Sequence, residues 1–418
     1  MKKRILILFL IVAIAGLTLL PLMTGCTPRE EILKVYNWDE YIDESIFAEF
    51  EKYYTAVTGK KVKIQYDTFV DNETMYQKVV GKHVDYDVIC PSDYMIEKMK
   101  TNGYLIELDK DLGNDINGEP IEDYRKGAAS FLSDGTTFKY DIGNVYSYPY
   151  MWGTMGILYN TEKVDYADLE SKGWGILWDS KYSGKIDMKD SVRDSYAIAS
   201  LYTFKNPNSK YYDAEMTLDR AVNATEAADR EKVKEMLIAQ KPLLYSYEAD
   251  QGKQTVADGK YTYMTLQWSG DAVYARDELV FDKDGNRKTT LDYYVPAEGT
   301  NLWCDGWCIP KYAKNTEAAN MFINFLCRPD ISIKNMEFIG YTSAIATPEI
   351  LEWIEENYSA DEYESVDLSY FFGEEYSAVP VDIVQYPSAA IIANSAVMRD
   401  YGNNQEIMLD LWTSIKNS

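Results

Sequence analysis

Two aromatic and two acidic side chains stand together at Trp38, Asp39, Glu40 and Tyr41. They follow a short apolar run and precede a helix-like pattern over residues 43–57. In a β–α unit this position lies at the carboxyl end of a strand, where open α/β sheets bind their ligands. Because aromatic faces and carboxylates both attract cations, the segment predicts one wall of a cleft for a small organic polycation. Core aromatics beside solvated acids are the alternative interpretation.

A second candidate wall begins at Ser92 and Tyr94. Residues 61–67 alternate like a strand, residues 72–80 have helical spacing, and residues 87–90 form a third apolar strand. This β-α-β-α-β-α order predicts a parallel, doubly wound sheet. The carboxyl ends of its strands face one crevice, so we expect the two walls to share a site.

The later part of the chain supplies further candidates of the same type. Residues 146–160 are apolar and aromatic, and residues 261–268 alternate like a strand that ends in Trp268. Asp305 lies between two tryptophans in the strand-like residues 302–310. An acid in so apolar a strand needs a partner, which favours a place in the site.

Length and charge limit the possible functions. A chain of 418 residues is longer than one hydrophobic core usually accommodates, so we expect two domains. Three of its 42 Lys and Arg precede residue 26, which leaves 39 against 67 Asp and Glu and a net charge of −28. Such a surface attracts cations and repels nucleic acid, and no basic patch is interleaved with aromatics. We therefore expect no nucleic-acid partner.

Residues 1–26 have the form of a secretory signal peptide. Three bases precede an apolar run over residues 5–20, which is short for a membrane span. The ending MTGC resembles a bacterial lipobox, with Met23 where Leu is usual. We expect Cys26 to be lipidated and to anchor the protein at the outer face of the cytoplasmic membrane or in the periplasm. A retained signal anchor is the alternative.

The other cysteines are Cys90, Cys304, Cys308 and Cys327. Zinc needs four ligands and the chain has one histidine, so an all-cysteine site would require these four to converge. We expect buried free thiols, no metal and no cofactor, and a disulfide stays an open alternative.

Seven segments of the chain occur in the same order as in the spermidine/putrescine-binding proteins of ABC importers, the PotD type, and most of the chain resembles that family. These segments are VYNWDEYI, NETMYQK, YDVICPSDYMIEKM, YSYPYMWGTMGILYN, QWSGDAVYA, LWCDGWCIP, and FINFLCRPD followed by IGYTSA. The resemblance implies an α/β, two-lobed, type II periplasmic-binding-protein-like fold. Each lobe would be a doubly wound sheet with helices, and the ligand cleft would lie between the lobes.

The same resemblance implies two discontinuous lobes. The N-terminal lobe would comprise residues 31–147 plus 304–349, and the C-terminal lobe residues 152–300 plus 354–418. The chain would cross between them near residues 146–153 and 300–306.

The resemblance also implies a set of ligand-binding residues. Carried over by motif, with Asp39 added from its position, the set is Trp38, Asp39, Glu40, Tyr41, Ser92, Tyr94, Asp194, Trp268, Trp303, Asp305 and Tyr341. Asp39 stands where the family often has a small hydroxyl residue. Ser191 stands where the family has an acid, and Met398 where it has a glutamine. These departures leave the choice of polyamine open.

The function implied is capture and transport, not catalysis. A monomeric lipoprotein would bind spermidine, putrescine or both and deliver them to the permease subunits of an ABC importer. Aromatic walls would cover the methylenes and carboxylates would pair with the ammonium groups. The alternatives are a carbohydrate binder or a ferric-iron binder of the same fold, the latter because of 36 tyrosines, and a glycosidase using Glu40 and Asp305.

Overall fold

The computed structural model describes residues 31–249 and 251–418, so the predicted signal peptide and Cys26 lie outside the described residues. Among the described residues, eleven strands form one sheet and two more form a small hairpin-like pair. The strands are β1 Glu31–Trp38, β2 Val62–Phe69, β3 Val88–Ile89, β4 Ser147–Asn160, β5 Ile186–Lys189, β6 Leu244–Glu248, β7 Met264–Trp268, β8 Leu291–Tyr294, β9 Thr300–Cys308, β10 Thr342–Ser343, β11 Ser365–Val366, β12 Val379–Pro380 and β13 Ser395–Ala396.

Helices connect most of these strands. They are α1 Ile46–Thr58, α2 Asn72–Tyr76, α3 Asp93–Thr101, α4 Tyr166–Lys172, α5 Asp194–Lys205, α6 Leu218–Val222, α7 Ala227–Gln240, α8 Gly252–Asp258, α9 Ser269–Tyr274, α10 Thr316–Leu326, α11 Pro329–Ile339, α12 Pro348–Asn357, α13 Ser369–Phe372, α14 Ala389–Ala393 and α15 Gln405–Lys416. Within the described residues, none of these helices has the length and apolar character needed to span a bilayer.

The first strand group, β1 to β3, has the predicted alternation of strands and helices. β1 pairs in parallel with β2 from Glu31↔Val62 to Trp38↔Phe69, and with β3 at Val35↔Val88. Helix α1 buries Ile46, Phe50 and Tyr54 on one face, as the 3.6-residue spacing of its apolar residues predicts. The carboxyl ends of β1 and β3 therefore lie at one edge of the sheet.

Two long strands join this group to the rest of the sheet. β4 and β9 run antiparallel, from Ser147↔Cys308 to Thr154↔Leu302, and every residue of both strands is buried. Beyond that stretch β4 pairs with β7 and β8 instead. Both strands could be predicted from the sequence, because a strand that is covered on both faces is a near-continuous apolar run. The lobe boundaries placed near these strands stay a prediction.

The second strand group, β5 to β7, has the same parallel arrangement. β5 pairs in parallel with β6 and with β7, so Lys189, Glu248 and Trp268, the last residues of these three strands, lie at one edge. Helix α5 follows β5 after four residues, and α9 follows β7 directly. Strand ends from both groups therefore supply the side chains of the site described below.

The four cysteines of the described chain are buried and unpaired. Cys90, Cys304 and Cys308 lie in or beside β3 and β9. Burial raises the pKa of each of these thiols well above its usual range.

Candidate ligand-binding site

A cavity of about 430 Å³ lies between the two strand groups. That volume is within the range of pockets that bind small molecules. All eleven residues predicted from the sequence line it, namely Trp38, Asp39, Glu40, Tyr41, Ser92, Tyr94, Asp194, Trp268, Trp303, Asp305 and Tyr341. Met398, which stands where the resembling family has a glutamine, also lines the cavity. The structure thus brings together residues that are up to about 300 positions apart in the chain.

The turn after β1 holds the first wall. Asn37 donates a hydrogen bond from Nδ2 to the carbonyl oxygen of Tyr41 at 3.3 Å, and the Tyr150 hydroxyl donates to the same oxygen at 3.1 Å. Glu40 has a φ of 50°, in the left-handed region that is unfavourable for a residue with a Cβ. Such backbone strain is retained where surrounding contacts enforce it, and it is common at binding sites.

Three aromatic rings form a continuous surface in the cavity. Tyr341 packs edge-on against Tyr41 at 5.0 Å and against Trp303 at 5.6 Å between ring centroids. Gly270 makes room for this surface, because a Cβ there would lie 2.1 Å from Cγ of Tyr341. The rings provide the apolar cover that an aliphatic chain requires.

Asn72 organises the second wall, and the sequence reasoning did not single it out. Its Nδ2 donates to the Ser92 hydroxyl at 3.0 Å and to the Tyr94 hydroxyl at 2.9 Å. The backbone N–H of Ser92 in turn donates to Oδ1 of Asn72 at 3.3 Å. Asn72 could have been identified from the sequence, because it is the first residue of the NETMYQK segment that carries the family resemblance.

Asp305 is a buried carboxyl group of the first wall that faces the cavity. It is 7 % exposed, and burial raises its pKa to about 7. Hydrogen bonds from Ser92 and Tyr41 oppose the rise, whereas the negative charge of Asp194 adds to it. A cation placed beside this group would favour its ionised form.

Asp194 is the corresponding acid of the second strand group. It is the first residue of α5 and is 9 % exposed. Burial raises its pKa, while the Ser191 and Trp268 side chains and the charge of Lys189 oppose the rise. The Ser191 hydroxyl accepts hydrogen bonds from the backbone N–H groups of Arg193 and Asp194, at 3.2 and 3.1 Å. Ser191, which stands where the resembling family has an acid, therefore stabilises the first turn of α5.

Arg193 is a further functional candidate that the sequence reasoning missed. Its guanidinium lies between the rings of Tyr94 and Tyr401, at 3.9 and 3.5 Å from their centroids. It donates to the carbonyl oxygen of Arg399 at 2.8 Å and lies 3.6 Å from Glu73. Since Tyr94 and Glu73 lie in α3 and α2, the helices that follow β3 and β2, Arg193 links the two sides of the cavity.

Residues 45–362 match the sequence profile of a family described as bacterial extracellular solute-binding protein. The chain belongs to this family. The assignment covers most of the chain and confirms the family resemblance seen in its motifs.

Two named relatives of this solute-binding protein come from Escherichia coli strain K12. The spermidine/putrescine-binding periplasmic protein is 28% identical over 405 residues, covering 96% of both chains. The putrescine-binding periplasmic protein PotF is 27% identical over 341 residues, covering 79% of this chain and 82% of the relative.

A solved structure shows the same architecture. The spermidine/putrescine ABC transporter substrate-binding protein PotD from Streptococcus pneumoniae superimposes with a TM-score of 0.64 at 26% identity, covering 93% of this solute-binding protein and 99% of the other chain. The predicted periplasmic-binding-protein-like fold is thereby confirmed.

Proposed function

We propose that this solute-binding protein captures a polyamine, spermidine or putrescine, in the cavity and delivers it to an ABC importer. The observation that carries the proposal is the convergence of the eleven predicted residues on one acidic, aromatic cavity. The naming of relatives at 27 to 28% identity as polyamine-binding proteins supports it.

The proposed roles follow from the chemistry of the ligand. Asp305 and Asp194 would each pair with an ammonium group, because neither forms an ion pair within 4 Å among the described residues and both are buried. A charge-assisted hydrogen bond contributes about 1.5–3 kcal/mol, and a cation–π contact about 0.5–2 kcal/mol. Two such pairs contribute about 3–6 kcal/mol, and burial of the ligand's methylenes against the aromatic surface adds about 0.8 kcal/mol per CH₂ toward the roughly 8 kcal/mol of micromolar binding.

Trp303, Tyr341 and Trp268 would cover the methylenes of the ligand. Trp38, Asp39 and Glu40 would close the outer end of the first wall, where the two acids are exposed to solvent. Solvated acids at a cleft entrance contribute chiefly by attracting the cation to it.

The cellular setting is proposed on the sequence alone. Lipidated Cys26 would tether a monomer to the membrane beside the permease subunits. The lobes would comprise residues 31–147 plus 304–349 and residues 152–300 plus 354–418. Replacement of Cys26 by serine would release the protein from the membrane fraction if this anchor exists, and continued retention in that fraction would contradict it.

A ligand screen tests the proposed function. Thermal unfolding of the purified protein would be followed with putrescine, spermidine, spermine, a disaccharide and ferric citrate, each at a thousandfold excess over a micromolar Kd. A true ligand stabilises the fold by about 4 kcal/mol under these conditions, and a compound that does not bind leaves the melting temperature unchanged. We expect a shift with polyamines alone. A shift with the sugar or with iron, and none with any amine, would contradict the proposal.

A further inference from the structure

A lysine ammonium of the protein itself lies inside the second wall. Lys189, the last residue of β5, is 1 % exposed. Its Nζ lies 4.0 Å from the ring centroid of Trp268, 3.7 Å from Oε1 of Glu248 and 3.9 Å from Oδ2 of Asp271. It also donates to the carbonyl oxygen of Ala249 at 3.2 Å. An aromatic face, two carboxylates and a carbonyl are the surroundings that a bound alkylammonium ion requires.

A second lysine lies beside this cluster. Nζ of Lys253 lies 3.2 Å from Oδ1 of Asp271, so Asp271 is shared between the two lysines. Glu248 has Lys189 as its basic neighbour within 4 Å among the described residues. Both acids are buried, and all four charged residues line the cavity. Each of the two carboxylates therefore has a lysine ammonium group within 4 Å before a ligand enters, although both oxygens of Glu248 and Oδ2 of Asp271 lack a hydrogen-bond partner among the described residues.

A further acid near this wall is also engaged. Asp190 accepts a hydrogen bond from Nε1 of Trp412 at 3.0 Å and pairs with Nζ of Lys416 at 2.7 Å. Ser191, which supports the start of α5, offers no carboxylate. Asp194 is consequently the acid of the second wall that remains for an ammonium group of the ligand, opposite Asp305 in the first wall.

We propose that Lys189 determines ligand specificity by occupying the place of a third ammonium group, so that the cavity favours a diamine over a triamine. This inference rests on the proposed polyamine function and refines it. A diamine pairs its two charges with Asp305 and Asp194. A third ligand charge near Trp268 would be repelled by the ammonium group of Lys189, which already lies against that ring and beside Glu248. Its desolvation would therefore be poorly compensated.

The wild-type protein provides the first test. Calorimetric titration with putrescine and spermidine, at one pH and one salt concentration, should show that the extra ammonium group of spermidine brings no gain in affinity. A wild-type protein that binds spermidine more tightly than putrescine would overturn the proposal. This test needs no variant and does not depend on how a mutant folds.

The Lys189→Met variant provides the second test. Methionine keeps an unbranched apolar chain but removes the charge, which leaves Glu248 available to a ligand ammonium. We expect the affinity ratio of spermidine to putrescine to rise about tenfold or more, the contribution of one charge-assisted hydrogen bond. The double variant Lys189→Met with Glu248→Gln should lose that gain, and Lys189→Arg should keep the wild-type order.

The matched control is Lys163→Met, which makes the same change at an exposed lysine outside the cavity and should leave both affinities unaltered. An unchanged ratio in Lys189→Met, or an equal rise in Lys163→Met, would overturn the specificity role while polyamine binding itself stood. Absence of polyamine binding in the wild-type protein would instead refute the proposed function. The two failures are therefore distinguishable.

Discussion

Replacement of Asp305 by asparagine is expected to weaken the ligand complex and to stabilise the ligand-free protein. The pKa of this buried carboxyl is raised from 3.8 to about 7. A rise of about three units corresponds to roughly 4 kcal/mol of unfavourable free energy for the ionised form in the empty cavity. A ligand ammonium would offset part of that cost. The neutral asparagine cannot form the charge-assisted hydrogen bond between the Asp305 carboxylate and this ammonium group, which contributes about 1.5–3 kcal/mol. The Kd should therefore rise by a factor on the order of ten to a hundred.

The effect on the ligand-free protein depends on pH. Because the folded-state pKa lies above the unfolded value, the folded protein binds more protons than the unfolded chain between about pH 4 and pH 7. The free energy of unfolding contributed by this group therefore falls as the pH rises through that window, and the full penalty is present above pH 7. The neutral asparagine side chain carries no such penalty, so the Asp305→Asn variant should gain most at pH 8 and little at pH 4.

The assay combines calorimetric titration with thermal unfolding at pH 5 and pH 8, with and without polyamine. Glu374→Gln, which removes an exposed carboxylate that does not line the cavity, serves as the control for the change in net charge. An unaltered Kd in the Asp305→Asn variant would remove this residue from the site. A ligand-free variant that melts below the wild type at pH 8 would refute the reasoning about the buried charge.

Three further predictions follow from the same geometry. Polyamine affinity of the wild type should increase from pH 6 to pH 8, as measured by calorimetry, because the ligand requires the ionised form of the carboxyl whose pKa is about 7; Asp305→Asn should flatten this dependence. Gly270→Ala should weaken polyamine binding about tenfold or more, because the new Cβ would displace the ring of Tyr341; a Kd equal to that of the wild type would contradict this. Arg193→Lys should loosen the contact between the two sides of the cavity, because an ammonium group cannot stack between Tyr94 and Tyr401 as a planar guanidinium does. Small-angle scattering should then show a larger radius of gyration for the ligand-free variant. An unchanged radius would count against the linking role.

Much of the cavity lining could be predicted from the sequence because the residues concerned follow a local rule. Trp38 to Tyr41 come directly after one strand, and Ser92 and Tyr94 after another. Parallel strands present their carboxyl ends at one edge of a sheet, so a short pattern of apolar runs and helices was enough to bring these segments together. The apolar runs of β4 and β9 likewise predict buried strands, since strands covered on both faces contain few charged residues.

The charge balance inside the cavity was decided only by the tertiary structure. Nothing in the sequence spacing links Lys189 to Glu248, which is 59 residues away, or either of them to Asp271. The same composition would permit Asp190, Asp194 or Glu248 to face a ligand. Which acid is paired and which is left for a cation depends on where distant strand ends converge and how deeply burial desolvates each charge, and both are properties of the folded chain.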